Sequence, residues 1–266
     1  MSRMHDSDLP PGQGPGQPSH SRPLRIDDIP HVAEHLAARL EITGGARLHQ
    51  QAKAEPRWPV SFSVIVAITL QLVVSGKLML QPRLLVPALE VALLIGLNIA
   101  NPLRIERASG PVRAASIVLI MLISAANAAS AALLVKAIVT NQVHVSANHA
   151  PVALLGTGAA IWGTNVIAFA LWYWEFDRGG PVQRLHGRSP YPDLLFPQMQ
   201  VPRLTPHGWG PRFVDYLYLS FTNATAFSPT DVMPLARWAK LTMMLQSAIS
   251  LVLAALVIAR AVNILR

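Results

Sequence analysis

Five apolar segments, each near the roughly 20 residues that cross about 30 Å of hydrocarbon as a helix, constrain this chain more than any other feature. They run approximately from Pro59 to Ser75, Leu84 to Ala100, Ala114 to Thr140, Val152 to Trp174 and Ala239 to Val262. Of 266 residues, 52% are hydrophobic and 14% charged, an apolar excess beyond that of ordinary soluble domains. The expected fold class is all-α: a polytopic membrane helix bundle of about five transmembrane helices, with the lipid bilayer as its principal partner. Trp58 at one end, and Trp172, Tyr173 and Trp174 at another, read as interfacial anchors.

The formal net charge of +8 would suggest nucleic acid in a soluble protein. Here the arginines sit in segments flanking the apolar runs, so they read as topology signals and contacts to anionic lipid, with no nucleic acid expected. Cysteine is absent, which excludes disulfides, thiolate metal sites and thiol nucleophiles. No catalytic constellation is expected either. His144, His149, His186 and His207 lack the paired spacing of a zinc site, Ser61 and Ser63 lack an adjacent base or an elbow motif, and no glycine-rich phosphate loop is present. The reading is of a protein that is not an enzyme, with no cofactor and no metal.

Residues 1–26 are rich in Pro, Gly and Ser, carry almost nothing to bury, and read as a disordered tail without the apolar core of a cleavable signal peptide. Residues 27–57 read as a helical segment, either interfacial, with Ile26, Val32, Leu36, Leu40 and Ile42 on one face, or an ordinary cytosolic helix broken at Gly44 and Gly45. A four-span bundle over 58–174 follows, then a Pro/Arg/aromatic-rich loop over 175–212, then a pore-like helix, loop and final span over 213–266.

That last region holds the unusual element. F-V-D-Y-L-Y-L-S-F-T-N-A-T-A, Phe213 to Ala226, is helix-compatible, but about 14 residues at 1.5 Å rise reach only about 21 Å. It is short for a crossing and too apolar for a free loop. Non-helical backbone at membrane depth is tolerated only where protein or water surrounds it. The physical reading is a re-entrant helix and loop: Pro229 and Pro234 stop the helix, and Thr225, Ser228 and Thr230 offer oxygens to water or an ion.

Tyr218 to Asn263 resembles the pore helix, filter and inner helix of tetrameric potassium channels. Y-L-S-F-T-N-A-T is similar to the run that enters the filter, Asp231 and Pro234 to the filter-end Asp and the Pro after it, and Val257-Ile258-Ala259-Arg260 to the inner-helix end of many bacterial members. The resemblance covers under a fifth of the chain. The C-terminal half also resembles a family of bacterial multi-span proteins with a G-G-P to F-P loop before a D-Y-L-Y-L-S-F-T segment. These resemblances imply a homo-oligomer, a tetramer by analogy, in a bacterial plasma membrane; neither shows what is transported, and monovalent cations are the expectation for a channel-like chain. The implied pore loop is Thr222, Thr225, Ala226, Phe227, Ser228, Pro229, Thr230 and Asp231.

The filter departs from the potassium pattern. Aligned with T-V-G-Y-G-D, the chain has Ala226, Phe227, Ser228, Pro229, Thr230 and Asp231, so only the Asp remains and Ser228 and Thr230 replace the glycines. Stacked carbonyls in a potassium filter need backbone angles that residues with a Cβ rarely adopt. Two readings stay open: a wider, hydrated and poorly potassium-selective pathway, or a channel-derived scaffold or sensor that does not conduct. Thr242, Gln246 and Ser250 recur at i, i+4 and i+8 on the final helix, where they either line water or join helices.

Glu90 lies near the middle of the second span, where an unpaired charge would cost at least about 2.5 kcal/mol, so it must be protonated, paired or wet. Lys136 and Lys77 are candidate partners that could equally reach the interface, and Asn98, Asn127 and Asn165 could join a polar interior. Arginines in 101–113 and 175–212, against none in 141–151, put the first two segments on the cytoplasmic side. A re-entrant loop would then enter from the cytoplasm, the reverse of a potassium channel, unless 213–232 crosses fully and makes six spans.

Overall fold

A computed structural model of the chain describes residues 55–74, 84–100, 110–140, 150–186, 191–206, 208–225 and 231–265. All of them lie in the second of two units into which the chain divides, Ala46–Arg266. The expected N-terminal tail and most of the 27–57 helix fall outside the described residues, as do Lys77, His144, His149, His207 and the filter positions 226–230.

The described residues are mostly helical, consistent with the all-α bundle read from the apolar runs. The elements are α1 (Trp58–Val73), α2 (Leu85–Ala100), α3 (Gly110–Val139), α4 (Ala150–Phe176), α5 (Pro181–Leu185), β1 (Leu194–Leu195), α6 (Pro197–Gln200), α7 (Phe213–Thr225), β2 (Met233–Pro234) and α8 (Arg237–Leu265). Proline opens α1, α5 and α6, where its missing N–H costs nothing and its fixed φ suits a first turn. At the start of α7, Asp215 accepts the Arg212 backbone N–H at 2.7 Å, which is half of a capping box.

Three helices are long and apolar enough to cross a membrane: Gly110–Val139, Val152–Gly179 and Arg237–Arg260. The shorter apolar helices α1 and α2 have 16 residues each. Helix α4 is the centre of the bundle and packs against α1, α3, α7 and α8. Within the apolar windows of the three long helices, 56% of α4 is buried, against 44% of α3 and 28% of α8. The outer face of α8 is instead lined by exposed Leu241, Met244, Leu245, Leu251 and Val252. Such a face is at home in lipid, which is as apolar as a protein core.

Small residues let α4 approach its neighbours. A methyl group at Gly158 would stand 2.8 Å from both γ-carbons of Val257 on α8, and one at Gly163 would stand 3.1 Å from Leu70 on α1. The interior packs Ile123, Leu171, Tyr173, Phe213, Tyr216 and Leu219, all essentially without exposure. Tyr173 and Trp174, expected as interfacial anchors, are buried at 0% and 5% exposure, whereas Trp58 stays exposed. The run Trp172 to Trp174 spans three directions around the helix, so only part of it can face outward.

Helix α4 ends in a turn that determines the placement of everything downstream. Arg178, Gly179 and Gly180 have φ of 51°, 79° and 104°, a left-handed run that ends the helix and that glycine accommodates without strain. Downstream, β1 and β2 pair antiparallel, with Leu194 opposite Pro234 and Leu195 opposite Met233. The Asp193 carbonyl also accepts the N–H groups of Leu235 at 2.8 Å and Ala236 at 3.2 Å. The chain entering α8 is therefore fastened to the loop that leaves α4.

Candidate functional site

Two polar assemblies occupy the α4, α7 and α8 region. The deeper one centres on Gln246 of α8, which is fully buried. Its Oε1 accepts from the Tyr173 hydroxyl at 2.7 Å and from Asn223 Nδ2 at 2.8 Å. Its Nε2 donates to the Ser220 carbonyl at 2.9 Å and the Ser220 hydroxyl at 2.7 Å. Ser220 in turn donates to the Val166 carbonyl of α4 at 2.6 Å, and Ser247 contacts Asn223 at 3.1 Å. One turn further along, Asn165 Nδ2 donates to Ser250 Oγ at 3.2 Å. The amide of Gln246 thus has both ends satisfied by groups from α4 and α7.

Of the stripe Thr242, Gln246 and Ser250, the last two are turned into this interior, at 0% and 1% exposure. Thr242 is half-buried and donates to its own helix at the Trp238 carbonyl, 2.8 Å away. In α7, Thr222 and Thr225 are also half-buried, and each hydroxyl returns to a carbonyl of its own helix. Asp231 is exposed beside β2. Ala226, Phe227, Ser228, Pro229 and Thr230 lie outside the described residues.

Glu90 is fully buried on α2. Gln71 of α1 donates to its Oε1 at 3.3 Å, and Oε2 has no hydrogen-bond partner. Its described neighbour is thus a neutral amide rather than a cation, and Lys136 is exposed. The asparagines do not converge: Asn98 accepts from Ser61 at 3.1 Å between α1 and α2, while Asn165 serves α4 and α8. Among the described residues, no group of three His, Asp or Glu side chains is placed to hold a metal.

The second assembly lies at the C-terminal end of α4. Asp177, fully buried, accepts the Tyr216 hydroxyl of α7 at 2.6 Å and the Asp193 N–H at 3.1 Å. Asp193 Oδ2 accepts the Arg178 N–H at 2.7 Å. Arg184, carried back under α4 by the glycine turn, donates to the Trp174 and Asp177 carbonyls at 2.6 and 2.9 Å and stacks 5.0 Å from the Tyr216 ring. Glu55, ahead of α1, accepts the Phe213 N–H and the Trp174 indole N–H. Burial raises the Glu55 pKa, opposed by those two donors and by the charges of Arg184 and Arg212. Both ends of the 213–234 segment are therefore anchored at one end of α4: Phe213 through Glu55 and Trp174, Met233 and Pro234 through β1 and Asp193.

Compared with known families, curated proteins and solved structures, the chain matches none.

Sequence reasoning missed Asp177, Asp193, Arg184, Glu55, Ser220 and Asn223. Asp177 had a local signal, since an Asp just before Arg-Gly-Gly-Pro marks a capped turn. Glu55 had none, because its acceptor role depends on Phe213, 158 residues away.

Proposed function

We propose that the chain is a channel-like integral membrane protein in which α7 and residues 226–232 form a re-entrant helix and loop between two spanning helices, α4 and α8. The observation that carries this reading is the anchoring of both ends of 213–234 to one end of α4. A segment that crossed the bilayer would place its ends about 30 Å apart. The sequence of a long helix, a short helix packed against it, a loop and a second long helix parallels the outer helix, pore helix and inner helix of the resembled channels. With α1 and α2 also crossing, the chain makes five spans.

The polar layer around Gln246 is closed by hydrogen bonds within one protomer, so a conduit would form between copies. It would draw on Thr222, Thr225 and the 226–231 loop, with Thr242 at its edge. A homo-oligomer, a tetramer by resemblance, passes monovalent cations with poor potassium selectivity, because Ser228 and Thr230 replace filter glycines. The bacterial plasma membrane is the expected location. A second reading, a non-conducting scaffold or sensor, is favoured by the inward orientation of Gln246 and Ser250, which leaves the outer face of α8 largely apolar.

Flux from liposomes separates the two. The channel reading predicts cation flux with little preference of potassium over sodium, lowered by Asp231→Asn because a ring of carboxylates at a mouth favours cations. No flux at any voltage, pH or lipid composition leaves the scaffold.

A further inference from the structure

A cleft of about 70 Å³ opens between α1, α2, α3 and the turn after α4. Its wall is apolar, formed by Val60, Val64, Leu94, Leu97, Leu119 and Ile120. Arg57, Arg113 and Glu175 also line it. Arg113 Nε lies 3.4 Å from the Glu175 carboxylate. Arg57 is 8% exposed, and its Nε has no hydrogen-bond acceptor. Glu175 thus pairs with Arg113 and not with Arg57, whose buried Nε is left unpaired beside a cleft that is mainly hydrocarbon, with Ser61, Ser116 and Gln183 as its other polar side chains.

A buried, unsatisfied donor on a charged group is costly, and a structural ion pair would have placed Glu175 within reach of Arg57. We propose that this cleft binds an anionic amphiphile, its carboxylate or phosphate on Arg57 and Arg113 and its first methylenes against the apolar wall. A water-sized group needs about 10–15 Å³ on this measure, so the cleft takes on the order of five such groups. A headgroup edge and a short length of chain fit, and the rest of the acyl chain stays in the bilayer. The position suits this ligand: Arg57 immediately precedes α1 and Arg113 lies in the first turn of α3, the depth at which headgroups meet helix ends. The proposal is independent of whether the protein conducts.

The test is native mass spectrometry of the full chain from mild detergent, with phosphatidylglycerol, oleate and phosphatidylcholine as probes. The expected result is one anionic adduct per chain, held at least tenfold more tightly than phosphatidylcholine. Retention of phosphatidylglycerol identifies a membrane lipid as the source, and retention of oleate alone identifies a free fatty acid. Arg57→Gln weakens the adduct at least tenfold. Ser116→Trp, which fills the cleft and leaves both guanidiniums in place, does the same and guards against misfolding of the first variant. Equal retention of phosphatidylcholine by the wild type, or an undiminished anionic adduct in Ser116→Trp, overturns the proposal.

Discussion

Replacing Gln246 by Leu removes four hydrogen bonds that join three helices, and the consequence can be worked from their geometry. Interhelical hydrogen bonds in a membrane protein average about 0.6 kcal/mol each, so the set is worth about 2 to 3 kcal/mol. Ser220 keeps the Val166 carbonyl and Asn223 keeps the Met243 carbonyl, so neither is orphaned. The Tyr173 hydroxyl is different: it is fully buried, and Gln246 Oε1 is its acceptor. Leaving it unpaired adds about 1 to 3 kcal/mol. Gln246→Leu should therefore destabilise by about 3 to 6 kcal/mol, and Tyr173→Phe added to it should recover the orphan share. The assay is reversible unfolding in mixed micelles, run as a double-mutant cycle. A cost below about 0.5 kcal/mol with no recovery would refute the reasoning, since a Gln246 that faces water loses little when replaced.

Three further outcomes follow from the same contacts. Gly180→Ala forces a Cβ at φ 104° to within 3.0 Å of the Glu175 carbonyl, and should cost about 1 to 3 kcal/mol in the same unfolding assay. Gly158→Ala meets Val257 at 2.8 Å and should cost about 1 to 3 kcal/mol by overpacking, relieved in the double variant with Val257→Ala. For Glu55, burial sets the folded pKa above the ordinary 4.5. Its contribution to stability is therefore full below that unfolded value and is lost as pH rises through the folded one. Unfolding curves across this window should show wild-type stability falling with pH relative to Glu55→Gln, and parallel curves would contradict the assignment.

The long apolar helices were legible because length and apolarity suffice to define them, as in Gly110–Val139 and Arg237–Arg260. Which face of each helix turns inward was not legible. When the solvent is lipid, both faces of α8 are apolar, and the polar exceptions Gln246 and Ser250 could equally have faced a pore or a neighbouring helix. Only the placement of Tyr173 and Ser220 opposite Gln246, and of Asn165 opposite Ser250, decides their surroundings. Likewise, the 175–212 segment read as a plain connecting loop because its order rests on long-range partners: Asp177 with Tyr216, and β1 with β2. Glu90 was recognisable from its midspan position as a carboxyl that must be protonated, paired or wet, but Gln71 as its partner was not, since a glutamine in a neighbouring apolar run carries no pairing signal.

The re-entrant path of 213–234 is tested most directly by cysteine accessibility, for which the natural chain is already a cysteine-free background. Arg212→Cys and Asp231→Cys place single thiols at exposed positions on either side of α7 and the loop, and His144→Cys marks the segment between α3 and α4. In sealed vesicles of known orientation, a membrane-impermeant maleimide should label the first two from the same face and His144→Cys from the opposite one. Labelling of Arg212→Cys and Asp231→Cys from opposite faces would mean that α7 crosses the bilayer, and would contradict the account.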